Sequence, residues 1–314
     1  MKRSFFIKLT CFFLSLLLLP LGYFFYIQHF PAMFRGSLMG SVEIKLQKLQ
    51  QTEGSRIILV GGSSVPYAIE CETLSAAAGM PCISMGATAY LGIEYYLALI
   101  DDELREGDIV LLAPEFSMLQ NAVSYSTTWS AVENSTALLK RLPLSYLPHM
   151  VTSFYQYARS KVDLYRQKGT PAQTALEQYT NFGFGEWGDI TTPRTSVLES
   201  GYDKNNLYQV TDSSLSPEVV KAVSAFSKKA QAVGAKVYLT WAPFDRLAYT
   251  GTEDELRTFE QTLRQQLPVP YIGTLTDCLL PEELFFDSNN HLTSEGAALR
   301  TQMLIEDCKA AQIF

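Results

Sequence analysis

The chain has 314 residues, with 32 acidic against 25 basic side chains, a formal charge of −7, and 47% of its residues hydrophobic. Acidic and basic residues are interspersed and no basic block occurs, which argues against nucleic acid, whose phosphates call for clustered Lys and Arg. This length is long for a single domain but within reach of one core carrying an insertion.

The N-terminus sets the compartment. Lys2, Arg3 and Lys8 precede a run from Leu9 to Phe34 that carries no acidic residue, Lys or Arg and is rich in Leu, Phe and Tyr. As a helix, such a run crosses a hydrocarbon core of about 30 Å. It ends Tyr26-Ile27-Gln28-His29-Phe30-Pro31 with no Ala-x-Ala pattern, so an uncleaved anchor is favoured over a signal peptide. The basic cluster ahead of it favours a cytoplasmic N-terminus and an exported body, against Arg35, Lys45 and Lys48 on the other side. Residues 1–34 are therefore expected to be a cytoplasmic stub and transmembrane anchor. Residues 35–54, with Val42, Ile44, Leu46 and Leu49 as a partial stripe, form a juxtamembrane helix, and 55–314 form the exported domain.

The first strand is expected from Arg56 to Val60 and runs into a Gly61-Gly62-Ser63 turn. A helix follows from Pro66 to Ala78, closed by Gly79. Pro81 to Met85 is a short second strand ending at Gly86, Tyr90 to Leu104 a second helix, and Ile109 to Leu112 an apolar strand covered on both faces. This order predicts an α/β fold, a parallel sheet with helices on both sides. Residues 117–214 lose the pattern and form a mainly helical insertion, with helices over Ala131 to Leu142 and Val151 to Gln167 and a Gly/aromatic loop from Asn181 to Trp187. The pattern resumes with a helix from Pro217 to Val233, a strand from Lys236 to Trp241, and a helix from Glu253 to Gln266. A last strand near Tyr271-Ile272 precedes a final helix capped by Thr293.

Cys11 lies in the anchor, while Cys71, Cys82, Cys278 and Cys308 fall into two local couples with no C-x-x-C spacing. They are either Cys71–Cys82 and Cys278–Cys308 disulfides of an exported domain or buried free thiols.

Three histidines occur, and His291 follows Asp287 by four residues. With Ser63 these give the chain order Ser…Asp…His. A serine hydroxyl is a poor nucleophile until an imidazole takes its proton, and a carboxylate holds that imidazole in the useful tautomer. Ligands in open α/β sheets bind beyond the carboxyl ends of the strands, where Ser63, Gly86 and Glu115 all fall. Backbone N–H groups at Ser63 and Gly86 are the candidate oxyanion donors. Glu115 either meets a substrate hydroxyl or the surroundings of Ser63, or ends its strand in solvent. Trp187 is either part of a carbohydrate cleft or a pin holding its loop to the core. No metal or organic cofactor is implied.

Gly61-Gly62-Ser63-Ser64, Met85-Gly86, Gly107-Asp108-Ile109-Val110-Leu111 and Asp287…His291-Leu292 together resemble the SGNH (GDSL-like) hydrolase superfamily. More narrowly they resemble its membrane-anchored branch of DltD-like and alginate-acetylation-like proteins. The resemblance covers most of the chain from about Arg56 to Cys308 apart from the insertion. It implies a flavodoxin-like three-layer sandwich, with Ser63 as nucleophile, Gly86 as oxyanion glycine, His291 as general base and Asp287 as its orienting acid. It further implies O-acylation of a cell-surface or exported polysaccharide, or ester hydrolysis, with a membrane-bound O-acyltransferase as partner. The rival expectation is a catalytically silent accessory protein on the same scaffold. Three departures stand out: Gly62 replaces the usual Asp, the third-block Asn has no match near Glu115, and three residues separate Asp287 from His291 where the family usually has two.

Overall fold

The computed structural model describes residues 2–167, 179–211 and 214–314. It begins with a long helix, α1 (Lys2–Gln28), whose stretch Ser4–Gln28 is long and apolar enough to cross a membrane. Helix α2 (Ser41–Gln51) leads to the sheet and buries Val42, Leu46 and Leu49.

The sheet follows from three short apolar runs and one amphipathic run: β1 (Ile57–Gly61), β2 (Cys82–Ser84), β3 (Ile109–Ala113) and β4 (Lys236–Leu239). All neighbours are parallel, in the order β2-β1-β3-β4. Because side chains alternate along a strand, Ile58, Val60, Val110 and Leu112 enter one core with α2, α5 (Ile93–Ile100), α10 (Pro217–Ala232) and α11 (Glu253–Gln266). Ile57, Leu59, Ile109 and Leu111 enter a second core with α3 (Ser64–Ala68), α4 (Cys71–Ala78) and α12 (Ser294–Ala310). Both faces are thus covered, the environment that continuous apolar strands require. The start of β1 is held by an ion pair with no solvent exposure, Arg56 to Asp108 at 2.6 Å.

Three short helices, a 3-10 turn and one long helix follow β3: α6 (Phe116–Leu119), α7 (Tyr125–Ala131), α8 (Thr136–Leu139), the turn at Leu144–Tyr146, and α9 (Leu147–Arg166). The expected insertion 117–214 also contains residues 168–178 and 212–213, which lie outside the described residues. Two small ladders complete the domain. Strand β5 (Phe244–Asp245) pairs with β6 (Leu279–Leu280), and β7 (Phe285–Ser288) pairs antiparallel with β8 (His291–Leu292).

Several elements are shorter than their apolar patterns suggest. The helix expected over Pro66 to Ala78 breaks at Ile69-Glu70 because tertiary partners satisfy the start of α4. Thr301 Oγ1 takes the Glu70 N–H at 2.9 Å, and Asp189 takes that of Cys71 at 3.2 Å. The helix expected over Ala131 to Leu142 is interrupted at Asn134, whose φ of 55° is left-handed. Ser135 then caps α8 by accepting the Leu138 N–H at 3.3 Å. The strand expected near Tyr271-Ile272 is reduced to a single parallel bridge between Leu239 and Tyr271.

All five cysteines are free thiols, so neither expected disulfide is formed. Cys71, Cys82, Cys278 and Cys308 are buried, and burial pushes the Cys308 thiol up to about 12.

Candidate active site

The serine is placed by the packing of β1. A Cβ on Gly61 would lie 2.4 Å from the Ala113 carbonyl oxygen, so glycine lets the chain turn against the end of β3. Ser63 then stands at the N-cap of α3, half-buried, where β1 gives way to the helix. It lies at the carboxyl edge between β1 and β3, where the strand order reverses and ligands of open α/β sheets bind.

The histidine arrives from the other end of the chain. Strands β7 and β8 form a hairpin in which Ser288 pairs with His291 across Asn289-Asn290. Asn289 anchors this turn by donating to the Asp203 and Asn206 carbonyls at 3.0 and 2.6 Å and accepting the Asp203 N–H at 2.7 Å. Asn290 accepts the Tyr208 hydroxyl at 2.8 Å. The three residues between Asp287 and His291 are therefore the end of β7 and a pinned turn.

The hairpin brings the sequence candidates together. His291 Nε2 lies 2.8 Å from Ser63 Oγ, and His291 Nδ1 lies 2.9 Å from Asp287 Oδ1. A carboxylate only accepts, so Nδ1 carries the proton in this network and Nε2 is free to accept the serine's. The His291 side chain is 11% exposed and that of Asp287 23%, so one edge of the relay reaches solvent.

Three residues around the relay were not singled out from the sequence. The Tyr179 hydroxyl donates to Asp287 Oδ2, and the Tyr67 ring stacks on the imidazole of His291 at 3.9 Å and 11°. Tyr67 and Tyr179 also hydrogen-bond each other. Burial first, then the Asp287 charge for Tyr67 and the Asp287 hydrogen bond for Tyr179, raise both phenols above their ordinary range and keep them neutral. Arg194, buried, spans the two halves of the site, donating to the carbonyls of Ile190 at 2.7 Å, Leu292 at 3.0 Å and Tyr67 at 3.4 Å. Tyr67, four residues after Ser63, shares its face of α3, a helical spacing the sequence does carry; nothing local marks Tyr179 or Arg194.

Gly86 meets the same turn. A Cβ there would lie 2.4 Å from the Gly62 carbonyl oxygen, so the two segments cross at backbone contact. Among the described residues, neither the Ser63 nor the Gly86 N–H has a hydrogen-bond partner. The Gly86 carbonyl accepts from Lys45 Nζ of α2, whose ammonium also lies 3.8 Å over the Phe184 ring. Burial lowers Lys45 to about 7, opposed by the charges of Cys71 and Asp189.

Glu115 does not end its strand in solvent. It is buried, and its Oε1 accepts the Ser64 N–H at 2.9 Å. A Cβ on Gly62 would lie 2.3 Å from that same oxygen. The Ala89 backbone N and Cα would lie 2.8 and 2.9 Å from the same Cβ, so carboxylate and backbone together close the space that a side chain at position 62 would need, which explains glycine where the resemblance expects Asp. Trp187 is not brought to the relay. Its ring packs against the core beneath Lys48, 3.9 Å from the ammonium, and its carbonyl accepts the Ser84 N–H at 2.8 Å beside β2. Among the described residues no cluster of three or more His, Cys, Asp or Glu is grouped to hold a metal ion.

No protein-family model matches the chain, and no curated protein matches it.

Proposed function

We propose that this chain is an SGNH-like, membrane-anchored enzyme of serine-dependent acyl transfer or ester hydrolysis. The observation that carries the reading is the unbroken relay from Ser63 through His291 to Asp287 at the carboxyl edge of a parallel sheet. The strand order β2-β1-β3-β4, with Tyr271 bridging beyond β4, also supports it, because it follows the doubly wound order 2-1-3-4-5.

In the proposed reaction Ser63 Oγ attacks the acyl carbonyl while His291 Nε2 takes its proton. The imidazolium formed is stabilised by Asp287, and its proton then passes to the leaving alcohol. Water or an acceptor hydroxyl, deprotonated by the same nitrogen, releases the acyl group. The free N–H groups of Ser63 and Gly86 are the proposed oxyanion donors, each worth about 3 kcal/mol to the transition state. The apolar stretch of α1 and the basic residues Lys2, Arg3 and Lys8 in its first turns support an anchored protein with its domain on the extracytoplasmic side. The proposed substrate is an ester-linked acyl group of a cell-surface or exported polysaccharide, with a membrane-bound O-acyltransferase as partner, on analogy alone.

A second reading, a catalytically silent accessory protein, is favoured by one observation: Glu115, near the position of the missing Asn, is an acceptor already engaged by Ser64. A fluorophosphonate probe on the full chain decides between them. Covalent labelling of wild type that disappears in Ser63→Ala is expected of the enzyme; a wild type that stays unlabelled, with its fold intact, supports the accessory protein. Acylated product on an added polysaccharide acceptor distinguishes transfer from hydrolysis.

A further inference from the structure

Helix α9 carries an apolar face that the domain does not cover. Leu144 is 83% exposed, Val151 75% and Tyr155 67%, with Leu147 beside them at 46%. Leu144 lies in the 3-10 turn that leads into α9, and Leu147, Val151 and Tyr155 recur every four residues along one side of the helix. Ala158, seven residues after Val151 on that same side, is buried, as are Met150 and Tyr157 on its flank. A surface of contiguous large apolar side chains is costly in water and marks an interaction site.

The packing of α9 against α1 indicates what covers this face. Tyr23 and Phe24 meet Phe154, with centroids 5.9 and 5.3 Å apart; Ile27 is buried with Tyr157 and Ala158; Phe30 meets Tyr165 at 4.9 Å. Within α1 the partners rise together, Phe24 with Phe154 and Ile27 with Tyr157 and Ala158, so the two helices run in the same direction here; beyond its end Phe30 reaches Tyr165 and Phe34 turns back to Tyr157 at 6.0 Å. Leu147 precedes Phe154 by seven residues, which places it about 10 Å further toward the N-terminal end of α1. For helices that keep a parallel course, that is the level of Leu16, well inside the apolar stretch Ser4–Gln28.

Charge follows the same axis. From Leu144 to Ala158 the segment itself carries no Asp, Glu, Lys or Arg, with Glu94 accepting the Ser145 hydroxyl at 2.8 Å at its leading end, and then Arg159, Lys161, Asp163 and Arg166 follow within eight residues. The imidazole in the apolar half, His149, stacks on Tyr125 at 4.6 Å. Between the two halves, Trp129, Phe154 and Tyr157 form an aromatic cluster against Phe24, the composition found at membrane–water boundaries.

From these observations we infer that the elbow of residues 144–158 is seated in the lipid bilayer beside α1, its exposed Leu144, Leu147, Val151 and Tyr155 among acyl chains. The inference rests on reading α1 as a membrane span. Its consequence is a domain held at two points, with its height and tilt above the membrane fixed.

The test uses the full chain, one copy per lipid nanodisc, in a Cys11→Ser background that leaves only the buried thiols. A nitroxide is attached in turn at Leu16→Cys, Val151→Cys and Arg159→Cys, and collision with oxygen is compared with collision with a polar nickel chelate. The oxygen-to-nickel ratio should be several-fold higher at positions 16 and 151 than at 159. Nickel access at 151 with position 16 shielded overturns the inference and leaves the anchor standing; nickel access at 16 overturns the anchor itself. Shielding of 151 from both reagents means that protein covers the face, and also overturns the inference. A measurement without substitutions stands beside this one. The wild-type chain in vesicles with a diazirine on the acyl chain should give adducts in residues 144–158, and adducts confined to α1 contradict the inference.

Discussion

At the residue scale, the histidine is held by more than its acid. Asp287 offers one oxygen to His291 and the other to Tyr179, while Tyr67 lies flat on the ring. A hydrogen bond to a charged group contributes about 1.5–3 kcal/mol. Tyr179→Phe should therefore lower stability in denaturant unfolding by up to about that amount and, by releasing Asp287, slow the proposed acyl transfer and the labelling of Ser63 in parallel. Lys45 gives a pH signature. The folded chain releases its proton near pH 7, whereas the unfolded chain holds it to the ordinary 10.5. Between those values the unfolded state binds more protons, so stability rises with pH through that window and is flat in this group outside it. Relative to Lys45→Met, wild-type stability measured by denaturant unfolding should improve from pH 7 to pH 10; a constant difference would contradict the buried-lysine account.

At the element scale, polar groups inside the fold fix where the strands and helices start. Arg56 sends Nη2 to Asp108 at 2.6 Å and Nη1 to the Leu49 carbonyl at 2.6 Å, tying α2 and the leading ends of β1 and β3 together. Asp108→Ala leaves that guanidinium buried and uncompensated, and should cost about 3–5 kcal/mol in denaturant unfolding. Glu133 works in the same way just beyond α1, accepting from the Phe34 N–H at 2.7 Å and pairing with Lys161 at 2.9 Å. Apolar runs made β1 and β3 legible, and a Thr252/Glu255 capping box accompanies the start of α11 at Glu253, the residue its pattern gives. The break between α3 and α4 was not legible, because the groups that cause it, Thr301 and Asp189, are supplied from far along the chain.

At the scale of the whole molecule, two cores on opposite faces of one sheet make β1 and β3 the most protected elements. Amide exchange in the intact chain should be slowest there, and faster in the β7–β8 hairpin, which rests on a two-stranded ladder and the contacts of Asn289. Equal protection in the two would show that the site hairpin opens only with global unfolding. The relay joins residues 228 apart, so its geometry depends on Arg194 and α12 closing the late part of the chain over α3.

The sequence by itself determined what is local: the apolar span, the apolar strands β1 and β3, the capped helix α11, and the residue types Ser63, Asp287 and His291 at turns where chemistry is accessible. Hydrophobic period and turn composition are written within a few neighbouring residues, so they can be read there. Only the tertiary structure decided that Tyr179 backs Asp287, that Glu115 fills the room left by Gly62, and that α9 runs alongside α1. Those pairings are made between groups distant in the chain, and no periodic pattern records which polar side chain will meet which once the cores have closed.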